Sequence, residues 1–296
     1  MSRSTEILDL INRIQPHIPW SSEYLMWQFQ DHPGGPAKIW GIEDEGRIVS
    51  IYAAVTQTLW MNGGLFKACM VQDVMTDPHY RGRGFLHQLA QTNIDWMKTS
   101  NVVGYTFPND LSAKSFERVG WQALMSVPWI RKKLKQDASH LKSKLSLERQ
   151  EVSTPTMEEI FTRSALPTGV HRSRAYLNWR YSKPGQTYEF FSLSNDAYIV
   201  LKKYKDENQT SILHLLDLCI REEAKNLLKD ILSWVENYAI ESSAELLTAW
   251  CSASHPYHGG FQESGWNFEP HATRKIYTGN TNSKEWHFTQ GDSDVY

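Results

Sequence analysis

The chain has 296 residues, 41% hydrophobic and 22% charged, the composition of an ordinary folded protein with room for two domains. Its 31 basic and 33 acidic side chains nearly cancel, which excludes a general pull toward nucleic acid or an anionic membrane, so any anion site must be local. There is no run of about 18 apolar residues, no apolar signal-peptide core in the first residues, and no paired spacing among Cys69, Cys219 and Cys251; a cytoplasmic protein without disulfides or a zinc site is expected.

Residues 4–14 place Ile7, Leu10, Ile11 and Ile14 at helical spacing. Residues 38–42 and 47–58 alternate and are rich in β-formers, with Glu45-Gly46 as the turn; residues 65–76 form a further strand after the turn at Asn62-Gly63. A helix is expected over 85–99, a buried strand over 102–107, a short helix over 112–119 ended by Gly120, and a strand over 121–132. The order then recurs: strands at 188–193, 197–203 and 211–219, a helix at 222–241, a strand at 245–250 and a short helix or turn at 259–264. Residues 132–155 are rich in Lys, Gln, Ser and Glu and are expected to include a solvated linker. The resulting division is 1–135, a linker at 136–155, and 156–296, in an α+β plan of mixed, mostly antiparallel sheets flanked by helices.

Short similarities tie the halves together. Tyr24-Leu25-Met26-Trp27 matches Tyr176-Leu177-Asn178-Trp179. Asp73 in Val71-Gln72-Asp73-Val74 matches Asp217 in Leu215-Leu216-Asp217-Leu218. Phe116 through Gly120-Trp121 matches Phe261 through Gly265-Trp266. Each is weak alone, but they keep their order at nearly constant offset, as two copies of one fold would.

The segment from Val71 to Leu86 carries the chemistry. It runs strand, tight loop, helix, with Arg81-Gly82-Arg83-Gly84 at the loop. Glycine permits positive φ and close approach of a ligand, the helix start presents N–H groups and partial positive charge, and Arg81 and Arg83 add full charges, which together suit a pyrophosphate. This segment resembles motif A of the GNAT acetyltransferase superfamily, Gln/Arg-x-x-Gly-x-Gly/Ala. Arg81 and Gly84 stand at its first two defined places, and Leu86 stands where Gly or Ala is usual. The resemblance covers about residues 20–130 and implies acetyl-coenzyme A as acyl donor. It places the pyrophosphate at Arg81, Gly82, Arg83, Gly84, Phe85 and Leu86, and the pantetheine arm along Val74, Met75 and Thr76. The arm would lie in a splay that Pro108 helps to keep open. Asn109 and Ser112 match the family's next segment and suit the pantetheine amides, or simply helix capping. Phe116 stands where many members carry the tyrosine that protonates the leaving thiolate; either Tyr80, Tyr105 or a water takes that role, or the thiolate leaves unaided. Asp73, beside the expected thioester among apolar neighbours, is the candidate base, with substrate positioning or a structural bond as the other reading. His79 lies at the pyrophosphate end.

The second half has no glycine loop: Glu222 and Glu223 follow Asp217 where a phosphate would sit, so this copy is expected not to bind coenzyme A and to help close the acceptor site. Arg172 and Arg174 could meet an anionic group of the acceptor, or begin a solvated helix. His255 and His258 lack a third ligand, so no metal is expected. The tail offers Asp292 and Asp294 to an amine if it folds back, whereas disorder or simple packing is the default for a terminal stretch. The expected activity is acyl transfer from acetyl-CoA to a primary amine of a small molecule, such as an amino sugar. The abundant rings (12 Trp, 13 Tyr, 11 Phe) suit either a core or a sugar-binding groove. The rivals are a peptidoglycan-bridge transferase using aminoacyl-tRNA, which the charge balance disfavours, and a non-catalytic acyl-CoA-binding protein. No nucleic acid or membrane partner is expected, and the oligomeric state is open.

Overall fold

The computed structural model describes residues 3–134, 145–281 and 285–293. The chain folds as two compact units, Met1–Met125 with Lys275–Lys284, and Ser126–Arg274 with Glu285–Tyr296. The first unit begins with α1 (Arg3–Ile14) and α2 (Ser22–Phe29), followed by β1 (Lys38–Asp44), β2 (Arg47–Met61), β3 (Gly64–Thr76), α3 (Phe85–Thr99), β4 (Val103–Thr106) and α4 (Asp110–Arg118). β1, β2 and β3 form an antiparallel meander, and β4 joins β3 in parallel after the α3 crossover. The β-formers on β2 and β3 alternate in facing. Tyr52 and Ala54 of β2 and Cys69 and Val71 of β3 meet Leu89, Ala90, Ile94 and Met97 of α3, with Ala113 and Phe116 of α4 and Val119 just after it in the same core.

β5 (Gln122–Lys133) runs from the first unit into the second. The second unit contains β6 (Glu148–Gln150), α5 (Pro155–Thr162), β7 (Thr168–Val170), α6 (Arg174–Arg180), β8 (Glu189–Leu193), β9 (Ala197–Lys205), β10 (Ser211–Ile220), α7 (Leu228–Glu241), β11 (Leu246–Trp250) and α8 (His258–Glu263). β12 (Asn267–Thr278) then crosses back, and β13 (Trp286–His287) returns to the second unit. β6, β8, β9 and β10 are antiparallel neighbours, β10 and β11 are parallel, and β11 pairs antiparallel with β5. The meander followed by a parallel strand after a helix is thus built twice.

The sequence similarities fall at matching local structures. Ser21 and Ser173 cap α2 and α6 by accepting from the N–H of Tyr24 and Tyr176. The Phe116–Trp121 and Phe261–Trp266 pairs are both T-shaped, with centroids 5.4 and 5.2 Å apart, and each Trp backbone N–H donates to its Phe carbonyl. Asp73 and Asp217 each stand at a bulge of the corresponding strand.

Several expectations are corrected. The segment expected as one helix over 222–241 is a 3-10 turn, Glu222–Leu227, followed by α7. β6 lies inside the stretch expected as linker, because its backbone completes the edge of β8; residues 136–144 of that stretch are outside the described residues. The compact units part within β5, which pairs with β11 over residues 129–133, while the end of β12 pairs with β4. Of the two defaults for the tail, disorder or simple packing, residues 286–293 take packing, through contacts that linear periodicity cannot express.

Candidate active site in the first unit

β3 and β4 share rungs only from Ala68–Val103 to Val71–Thr106, where the Thr106 Oγ1 donates to the Val71 carbonyl at 2.8 Å. β4 stops there. Phe107-Pro108 follow, and proline has no N–H with which to extend the ladder. β3 runs on through residues 72–76, so the two strands part and, among the described residues, one edge of β3 is left without a strand neighbour at Val74, Met75 and Thr76. At the vertex, Asp73 and Val74 together oppose Tyr52 of β2, a bulge, and Asp73 adopts φ 51°. Bulges re-aim side chains and sharpen the local twist.

The far end of this edge meets the loop. Asp77 caps a 3-10 turn, Pro78–Tyr80, by accepting from the His79 N–H at 3.0 Å, and it also pairs with Arg13 of α1 at 3.0 Å. Acceptance of the His79 N–H, reinforced by Arg13, holds its carboxyl below the usual aspartate range. Tyr80 donates to Asp44 at 2.7 Å, and the Arg83 guanidinium lies 4.7 Å from the Tyr80 ring centroid. Gly82 and Gly84 take φ of 78° and 80°, with open space where a Cβ would stand. These glycines are required by the backbone conformation rather than by crowding. Gly84 is also the N-cap of α3 and supplies no side-chain cap, so the first N–H groups of the helix, at Phe85 and Leu86, remain directed outward. Arg81, Arg83 and His79 are exposed beside them. The result is a set of donors with flanking cations at a helix start, at the end of an open strand edge.

The family model described as an acetyltransferase (GNAT) domain matches residues 6–124. The first unit thus resembles a GNAT domain over that segment. The fold extends across the rest of the chain. A GCN5-related N-acetyltransferase from Anabaena variabilis is similar at a TM-score of 0.72 and 15% identity, over 94% of this chain and 70% of that one. A conserved protein of unknown function from Enterococcus faecalis, titled a probable N-acyltransferase, gives 0.71 and 12% over 93% and 69%. Eis1 from Mycobacterium abscessus gives 0.59 and 12% over 84% of this chain and 63% of its own. No curated protein matches the sequence. The chain is thus two tandem GNAT-like domains.

Within the first GNAT-like domain, Asn109 caps α4 by accepting from the Ser112 N–H at 2.8 Å, and the Ser112 hydroxyl donates back to the Asn109 carbonyl. Both residues therefore have local structural work, at the start of the helix that follows the splay. Phe116 is buried against Tyr52 and Trp121, with its ring 6.4 Å from that of Tyr52. Tyr105 is buried as well, and Tyr80 is engaged with Asp44.

The second GNAT-like domain has the same strand divergence but different contents. β10 and β11 pair only from Ile212–Leu246 to His214–Thr248, and β10 continues past a bulge at Leu216 to Asp217. Residues 286–293 lie beside that continuation. Gln290 donates to Thr248 Oγ1 at the last rung, and Gly291 approaches so closely that a Cβ would stand 3.0 Å from the Leu216 carbonyl. Arg172, placed by the sequence among acceptor-facing residues, bridges Asp217 at 2.8 Å and Asp292 at 2.7 Å, all three being buried. Burial drives the Asp217 carboxyl upward despite Arg172. Arg180 adds donors to the carbonyls of Gly291 and Ser293. Arg172 and Asp292 are thus engaged with each other. Arg174 is exposed and donates to the Ser153 carbonyl, and Asp294 lies outside the described residues. His255 and His287 share a buried hydrogen bond of 2.7 Å. Among the described residues no group of three or more His, Cys, Asp or Glu is arranged to hold a metal, and no helix is long and apolar enough to cross a membrane.

Sequence reasoning found the loop and the strand beside it, because glycine and arginine spacing is local. It did not single out Gln72 or Tyr52, whose places beside Asp73 depend on where the strands part and on the bulge. The only sequence signal was a polar residue at a buried strand position before Asp73.

Proposed function

We propose that the first domain is an acyl-CoA-dependent N-acyltransferase acting on the primary amine of a small molecule. The observation that carries the reading is the open edge of β3 ending at the uncapped start of α3. Pantetheine is itself a chain of two amides, so it can pair with that edge at Val74, Met75 and Thr76 as a strand would. Its pyrophosphate would then reach the donors of Gly82, Gly84, Phe85 and Leu86, with Arg81 and Arg83 beside them. The thioester would lie at the bulge.

There the amine lone pair attacks the thioester carbonyl carbon, the tetrahedral intermediate expels the thiolate, and the amide retains the acyl group. The ammonium proton leaves through a base and the thiolate regains one, giving amide and free coenzyme A. Asp73 is the proposed base, half-buried at the vertex. Water is the proposed proton source for the thiolate, because Phe116 has no proton to give and Tyr80 is engaged with Asp44. The burial of Phe116 favours a second reading, a domain that binds acyl-CoA without turnover. Richness in Trp and Tyr supports an amino sugar among the possible acceptors.

Calorimetric titration with acetyl-CoA tests the reading. The wild type should bind at micromolar concentration, and an Arg81→Ala, Gly84→Asp double variant should not. Absence of wild-type binding would remove both readings. Binding without release of coenzyme A across a panel of amines would favour the second.

A further inference from the structure

Gln72 is 9% exposed, and among the described residues neither its Nε2 nor its Oε1 has a hydrogen-bond partner. A buried carboxamide in that state forfeits about 1–3 kcal/mol for each group left unsatisfied, so native structures seldom keep one without a use. Its position supplies the use. Gln72 is the first residue of β3 beyond the last rung shared with β4, and it directly precedes the bulge at Asp73. Directly opposite on β2 stands Ala53, buried and with no polar side-chain atom to offer the amide. Met70, two residues earlier and facing the same way, pairs with Tyr105. Tyr105 packs edge-on to Phe107 with centroids 5.9 Å apart, so the neighbouring face is aromatic and apolar. An amide in such surroundings makes a strong, directional hydrogen bond to whatever polar atom enters.

We propose that Gln72 reads the acyl group of the donor, its Nε2–H donating to the thioester carbonyl oxygen. This rests on the proposed acyl-CoA reading and deepens it. The carboxamide is planar and neutral, and its Oε1 remains able to accept from the N–H of an incoming amine. One side chain would then orient both reacting partners and favour the acylated donor over free coenzyme A. Free coenzyme A has no carbonyl at that point, and its thiol is a poor acceptor.

The test compares calorimetric affinities for acetyl-CoA and for free coenzyme A in the wild type, Gln72→Met and Gln72→Glu. Met keeps the length without a donor; Glu keeps an acceptor oxygen and loses the donor. Both substitutions should weaken acetyl-CoA about fivefold, the worth of one hydrogen bond, and leave coenzyme A unchanged. Gln72→Asn, which shortens the reach but keeps the amide, should show the same acyl-specific loss and serves if the other variants fold poorly. Equal weakening of both ligands, or no change in either, would overturn the proposal and leave Gln72 a structural residue. Failure of the wild type to bind either ligand would instead remove the acyl-CoA reading on which it rests.

Discussion

Asp73 holds φ 51°, in the left-handed region where residues with a Cβ are rare and Asn and Asp are the tolerated exceptions. A short polar side chain therefore serves the bulge whether or not it also takes a proton. The two roles separate by substitution. Asp73→Asn should leave the melting temperature within about a degree, because asparagine accepts the same backbone. Asp73→Val should cost about 1–2 kcal/mol of stability through backbone strain. Urea titration measures both, and equal stability of the two variants would show that the bulge relaxes freely. The aspartate was legible in the sequence as a candidate base. Its backbone state was not, since a bulge is a relation between β3 and β2.

At the scale of elements, the two domains resolve the same strand divergence differently. In the first, the edge of β3 faces an uncapped helix start with glycines at positive φ. In the second, the 3-10 turn at Glu222 carries two carboxylates and the chain's own residues 286–293 lie against β10. Arg172 fastens that segment through two buried carboxylates, with Thr289 as a further acceptor. Removing one member of such a cluster leaves buried charge without compensation. Arg172→Met should therefore lower stability by about 3–5 kcal/mol, read from urea or thermal unfolding. A nearly neutral effect would mean that apolar packing by Trp286 and Phe288, rather than the ion pairs, keeps the segment in place. The strand-loop-helix of the first domain could be read along the chain because it is contiguous. The network of Arg172, Asp217 and Asp292 could not, because its members are distant in sequence and nothing along the chain pairs them.

The whole molecule carries an acid sensitivity that follows from its buried histidines. Burial lowers His32 to about 4 and His214 and His255 to about 3, and drives His287 well below its ordinary value. Each is neutral in the folded state and takes up a proton on unfolding below about pH 6.5. The unfolded state thus binds more protons as the pH falls. Stability is complete above about pH 6.5 and declines through the window down to the folded values, by up to about 1.4 kcal/mol per pH unit for each histidine. Asp217, whose carboxyl is raised, acts in the opposite sense at acid pH and offsets part of the loss. Calorimetric scans should show the melting temperature falling steadily from pH 7 to pH 4. A flat profile over that range would mean that these histidines are solvated or already protonated in the fold.

The sequence by itself determined the elements whose information is local. Helix α3 follows from apolar spacing, the meander from alternation, the tight Arg-Gly-Arg-Gly loop from its glycines, and the duplication from three ordered similarities. Tertiary structure alone decided where the strands part, which buried amide stands at the vertex, and what lies in the second divergence. Those features depend on registers and contacts between residues far apart in the chain, and neither periodicity nor composition encodes which distant partner a buried polar group will find.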